Sequence, residues 1–181
     1  FKLLEKLGQA AREPLLGALH SSDPAMTRQA AQLLVSLGAR KELAEALLHV
    51  SDAHLPGLVA ALQSEGSAGV GPLIETLLQA AMAAPSANDV RPWAFVVVCD
   101  PERRLGLAQV HQWSAMCAEA PVVFAVLGNP DSSDHWVEDC SAATENLLLT
   151  ATALGLGGVW VGIYPRTQRE AQVRQVLDIP E

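Results

Sequence analysis

Long apolar runs are missing from this 181-residue chain. Runs such as Phe95–Cys99 and Val122–Leu127 fall far short of the ~20 residues that a membrane-spanning helix needs, so no transmembrane segment is expected. Positive charge is scarce as well. Twelve Lys and Arg stand against twenty Asp and Glu, a net charge of −8 with no basic stripe to interrupt it, which argues against nucleic acid or an anionic membrane as partner. Cysteines are few and odd in number. Cys99, Cys117 and Cys140 lack the close spacing of a zinc knuckle or a redox dithiol, and a reducing, cytoplasmic setting is the simplest reading. The five His residues are scattered and offer no metal-ligand spacing, so no metal site is expected. No basic, apolar, small-residue signal pattern follows Phe1; either the start is processed or the chain begins inside a larger protein.

What remains is half apolar and only 18% charged, with 13 Gly and 11 Pro, the composition of a folded globular chain rather than a disordered one. The acidic excess is uneven. Residues 1–70 carry six basic and seven acidic side chains, residues 71–181 six and thirteen, which hints at two parts. Residues 1–65 have helical periodicity and little strand character. Within them Glu13–Asp23 recurs as Glu42–Asp52, and Leu7-Gly8 recurs as Leu37-Gly38. The recurrence fits either stacked helix pairs, which bury their apolar faces only against neighbouring repeats, or an unrelated helical hairpin. The Gly- and Ser-rich residues 66–71 read as a linker, placing a second domain at 72–181.

In that second part a helix runs from Pro72 to about Ala84 and is ended by Pro85. The periodicity then changes. Ala94–Cys99, Val122–Leu127 and Val159–Ile163 are short β-branched runs bounded by turn residues, the pattern of buried strands. Between the second and third, a helix from about Trp136 to Leu154, apolar nearly all round and closed by Gly155, is expected to be buried in a core or a subunit interface. Strands alternating with helices indicate an α/β or α+β layered domain.

Three segments in this order carry a resemblance: Ala81–Val98 with its Pro85-Ser86-Ala87 turn and Pro92-Trp93, then Ala120–Leu127, then Trp136–Leu149 running into Gly155–Pro165. Together with the closing Val173–Glu181 they resemble the flavin-dependent nitroreductase family over nearly all of residues 72–181. Residues 1–65 are similar to short HEAT-like repeats. The nitroreductase resemblance implies an α+β fold, a mixed sheet flanked by helices, here preceded by an all-helical N-terminal segment. It also implies an intertwined homodimer with FMN in the interface clefts, NAD(P)H as electron donor and a small-molecule acceptor such as a nitroaromatic or quinone. A flavin carries the redox chemistry itself, so no acid–base or nucleophilic constellation is required, and none is visible.

The same resemblance assigns cofactor contacts to Pro85, Ser86, Ala87, Asp89 and Arg91 in the first segment, whose Pro85-Ser86-Ala87 turn meets the flavin from the neighbouring subunit, and to Val161, Gly162, Ile163 and Tyr164 in the last. Asp89 and Arg91 stand where the family usually has Asn and Gln. An ionised Asp cannot donate a hydrogen bond, so Arg91 either pairs with Asp89 or places its charge near the flavin N1 edge or the phosphate. Asp139, Glu145 and Asn146 are read as buried hydrogen-bonding residues. The Arg-rich segment that grips phosphate elsewhere in the family has no counterpart, since residues 52–66 contain no Arg or Lys. A fragment of a longer protein, weaker FMN binding or a different way of holding the phosphate would each account for this. The competing reading is a non-catalytic adaptor, in which the N-terminal helices bind a protein partner and the second part is a degenerate dimerisation domain.

Overall fold

The computed structural model describes residues 2–47, 49–50, 55, 58–59, 62 and 67–180. The chain divides into two units, residues 1–84 with 142–158 and residues 85–141 with 159–181.

The first unit is helical among its described residues. Helices α1 (Lys2–Ala18), α2 (Pro24–Ser36), α3 (Arg40–Leu47) and α4 (Ser67–Met82) surround the fully shielded Leu19, Leu34, Leu43, Leu58 and Leu62. Helix α2 begins where Asp23 accepts the Ala25 N–H at 2.9 Å, satisfying an amide that has no partner inside the helix, with Pro24 pre-set at the first position. It ends at Gly38, whose φ of +67° lets Gly38 N–H reach Val35 O and Ala39 N–H reach Leu34 O, both at 3.0 Å.

Residues 67–71, read from composition as linker, are instead the first turns of α4; Gly66 lies outside the described residues. The reason is tertiary. Pro72 and Leu73 are buried, and the wholly buried Thr76 shares its hydroxyl between Ala44 O (3.2 Å) and Pro72 O (2.9 Å), which ties α4 to α3. The two copies of the recurring segment begin within helices but at different places, Glu13 late in α1 and Glu42 in the first turn of α3, while the end of the second copy is outside the described residues. Nothing beyond that recurrence speaks for a HEAT-like repeat.

Helix α6 (Trp136–Ala153) belongs to this unit from residue 142 onward. Ala143, Leu147, Ala151 and Leu154 are buried at helical spacing, and Asn146 Nδ2 donates to Ala80 O at 3.1 Å. The expectation of burial all round fails at Leu149, which is 58% exposed. The stop is the expected one. Gly155 has φ +71°, Gly155 N–H bonds to Thr152 O at 2.9 Å and Leu156 N–H to Ala151 O at 2.8 Å, the two capping bonds of a left-handed helix end.

The second unit contains the sheet. Strands β1 (Trp93–Val98) and β2 (Val123–Gly128) pair antiparallel, from Trp93 opposite Gly128 to Val98 opposite Val123. Between them lie α5 (Pro101–Ala108), capped by Asp100 on the Arg103 N–H at 2.9 Å, and a 3₁₀ turn at Ala115–Ala118. Residues 136–141 of α6 follow, then α7 (Thr167–Leu177). The core is Val98, Leu107, Cys117 and Leu177, with Val96, Val123, Val161, Val173 and Val176 packed against it. This is α+β, but two expectations change. Among the described residues the sheet is a single antiparallel pair and not a mixed sheet, and its strands are only partly buried because neither outer edge is covered by another strand. Val159–Ile163, expected as a third strand, forms no strand and has no ladder partner among the described residues; Val159 is 61% and Trp160 49% exposed.

Two glycines of this unit differ sharply in surroundings. A Cβ on Gly128 would run into the Trp136 ring and sit 3.0 Å from Cys140 Sγ, whereas one on Gly162 would meet nothing within 4 Å. Gly128→Ala is therefore expected to destabilise by ~1–3 kcal/mol through overpacking, and Gly162→Val to stay within ~0.5 kcal/mol of the parent, as read from urea denaturation. The same packing governs Cys140, whose thiol reaches toward Leu127 O at 3.7 Å. Burial, and secondarily the neighbouring Asp139 charge, push it from 9.0 to about 11. A thiol with a folded-state value above its unfolded one stabilises fully below pH 9.0 and loses that contribution as the pH rises toward about 11. Melting temperatures should fall over this window, and less steeply in Cys140→Ala; the burial-raised Cys117 keeps part of the slope.

Candidate functional site

The residues singled out from the sequence fall in two stretches of the second unit, 85–91 and 161–164. Helix α4 stops at Met82, and the chain turns through Pro85 and Ser86 into a 3₁₀ turn at Ala87–Asp89. This turn is strained. Asn88, Asp89 and Arg91 hold φ of +52°, +55° and +53°, a region that costs non-glycine residues roughly 1–2 kcal/mol each. Four hydrogen bonds hold it. Asp89 N–H bonds to Ser86 O at 3.0 Å, Val90 N–H to Ala87 O at 3.1 Å, Arg91 N–H to Ser86 Oγ at 2.9 Å, and Ala87 N–H to Asp139 Oδ1 at 2.9 Å. Ser86 Oγ thus accepts from within the turn and keeps its proton to donate.

Arg91 takes the first of the two options open to it, since its Nε donates to Asp89 Oδ1 at 2.8 Å. The pair is exposed, 52% and 75% for the two side chains, so it screens charge more than it stabilises. Arg91 also lines an open recess of about 310 Å³ with Pro92, Trp93, Gly128, Asn129 and Ser132.

In the second stretch the side chains and carbonyls are occupied while the amides are not. Val161 packs into the core beside Val98 and Leu177. Gly162 O accepts from Arg169 Nη1 at 3.2 Å, and Ile163 O from Arg166 N–H at 3.0 Å. Tyr164 stacks edge-on against Trp136, ring centres 4.7 Å apart at 75°. The N–H groups of Val161, Gly162 and Ile163 donate to nothing among the described residues. Donors without a partner among the described residues, beside an open glycine, suit a polar acceptor, because unpaired amides seek partners and the absent side chain allows close approach.

Both stretches are moored to one turn of α6. Trp136 holds Tyr164, and Asp139, three residues on and therefore on the same helix face, holds Ala87. Asp139 is 5% exposed, and its Oδ2 accepts from Ser133 Oγ at 3.2 Å. Sequence reading marked Asp139 as a buried hydrogen-bonder but missed this link, because only the fold brings residue 139 to residue 87. Of its companions, Asn146 is half-buried and bonded whereas Glu145 is exposed. Among the described residues no His, Cys, Asp or Glu group could hold a metal ion, and no helix is long and apolar enough to cross a membrane.

The Nitroreductase family profile matches residues 108–181. A protein of Archaeoglobus fulgidus provisionally named NADH dehydrogenase/NAD(P)H nitroreductase is 46% identical over 112 residues, 60% of this chain and 64% of its own length. The NADPH-flavin oxidoreductase of Vibrio harveyi is 32% identical over 122 residues, 59% of this chain and 50% of its own. The solved structure of an FMN-dependent nitroreductase from Clostridium difficile superposes with a TM-score of 0.58 at 30% identity, covering 60% of this chain and 66% of that one. The chain thus spans less than two thirds of these relatives. Over that span the small-sheet α+β fold is that of nitroreductase structures, and residues 108–181 are a Nitroreductase family domain with nitroreductases as homologues.

Proposed function

We propose that this chain is part of an FMN-dependent oxidoreductase that passes electrons from NAD(P)H to a small electrophile such as a nitroaromatic or quinone. The observation that carries this reading is the row of unused amides at Val161, Gly162 and Ile163, moored with the Pro85–Arg91 turn to one turn of α6. These residues fit the polar edge of a flavin ring, which presents acceptors and requires a flat approach that Gly162 leaves open. When bound, FMN supplies the two-electron redox chemistry.

The chain's own residues bind and orient. Amides of 161–163 would donate to the ring, the Ser86 hydroxyl would donate from the turn of the neighbouring subunit, and Pro85 and Ala87 shape that turn. Tyr164 closes the strip against Trp136. Arg91 offsets negative charge on the cofactor, weakly because Asp89 already holds its Nε. Donor identity for Asp89 remains excluded while it is ionised and paired. We further read the assembly as a homodimer, in which the exposed Leu149, Val159 and Trp160 find cover, and the setting as the cytoplasm, where cysteine thiols persist. Residues 1–65 remain a helical segment, with HEAT-like stacking and a protein partner supported only by the recurrence of Glu13–Asp23. The neutralised Arg91 favours a second reading, a dimerisation domain that holds no flavin.

A spectrum separates the two. Purified protein reconstituted with FMN and desalted should keep a flavin band in the visible, and Gly162→Val should lose most of it while melting as the parent does. A colourless parent would reject the flavin reading, and equal flavin in parent and variant would reject the assignment of residues 161–163. Light scattering at micromolar concentration should give twice the chain mass; a stable monomer would sink the homodimer.

A further inference from the structure

We propose that Asp139 is a positioning residue of the candidate flavin site, a buried carboxylate whose Oδ1 holds the Pro85–Arg91 turn in place for the cofactor; this rests on the flavin reading above. The observation is the use of its atoms. Oδ1 accepts the Ala87 N–H at 2.9 Å, Oδ2 accepts the Ser133 hydroxyl at 3.2 Å, and the Asp139 N–H returns to His135 O at 2.9 Å. No cation joins it among the described residues. An unpaired charge that is 5% exposed is costly unless hydrogen bonds and local dipoles replace water, and the first turn of α6 supplies a favourable dipole end.

The turn it holds cannot hold itself cheaply. Three left-handed residues within Asn88–Arg91 store strain, and such conformations persist only where the surroundings over-determine them. The other three bonds of the turn are internal to Ser86–Arg91 and would move with it. The Ala87 bond to Asp139 anchors it to a helix. Loss of that anchor lets the turn relax, and Ser86 and Arg91 lose the position from which they would meet the cofactor. Asp139 touches neither ring nor substrate; it acts through Ala87.

Three variants test the proposal, Asp139→Asn, Asp139→Ala and Asp139→Ser. Asn keeps an acceptor for Ala87 and a polar partner for Ser133; Ala removes both; Ser is polar and suits a helix start but is too short to reach Ala87, so it serves if Ala fails to fold. FMN affinity is read by flavin fluorescence titration, and the Ala87 amide by hydrogen exchange in flavin-free protein. Ala and Ser should weaken FMN about tenfold or more, the equivalent of a hydrogen bond to a charged group, and should expose the Ala87 amide to exchange. Asn should restore both readouts to near the parent. Unchanged FMN affinity in Ala or Ser, or Ala87 exchange as slow as in the parent, overturns the role. A parent that binds no FMN overturns the flavin reading and the role together, whereas FMN bound equally by parent and Ala variant overturns the role alone.

Discussion

Everything at the candidate site depends on one turn of helix, Trp136 to Asp139. Trp136 faces Tyr164 from one end of the second unit's sequence, and Asp139 faces Ala87 from the other. Two segments separated by more than seventy positions each place one contact on this turn. The turn is itself constrained by packing. Gly128, the last residue of β2, has no room for a side chain against Trp136 and Cys140, so the helix start lies directly on the strand end. Interior packing of that density transmits position faithfully, which is why a helix start can serve as a ruler for two loops.

Much of this was legible in the sequence, and the divisions follow physical lines. Helix α6 and its Gly155 stop were readable because helical spacing and a left-handed glycine are local signals. Strands β1 and β2 were placed to within a residue, since β-branched runs between turn residues mark themselves. The third run, Val159–Ile163, has the same composition and yet no ladder. Strand propensity measures fit to a pleated neighbour, and among the described residues that neighbour is absent. Residues 67–71 failed in the opposite direction. Gly69 and Gly71 weaken a helix locally, but the burial of Pro72, Leu73 and Thr76 against α3 outweighs them. The site itself was legible as two motifs and illegible as one place, because hydrogen bonds such as Ala87 to Asp139 leave no periodic trace.

Charge is distributed with similar economy. The three cation–carboxylate pairs among the described residues, Arg12–Glu42, Arg91–Asp89 and Arg103–Asp178, are all at least partly exposed, where such pairs contribute modestly and are screened by salt. Among the described residues the one buried carboxylate, Asp139, has no cation and relies on directional hydrogen bonds instead. Directional bonds fix geometry in a way that a diffuse ion pair does not.

The sheet has a further consequence. A lone two-stranded ribbon is marginal in water, so β1 and β2 persist through the side chains that clamp them, Leu107 of α5 and Val173, Val176 and Leu177 of α7. The same clamp includes Val161, the residue that roots the amide row. Ribbon, helix α7 and amide row therefore share one cooperative fate: the candidate edge has no stability of its own to lose first, and it stays formed for as long as the valine cluster stays closed.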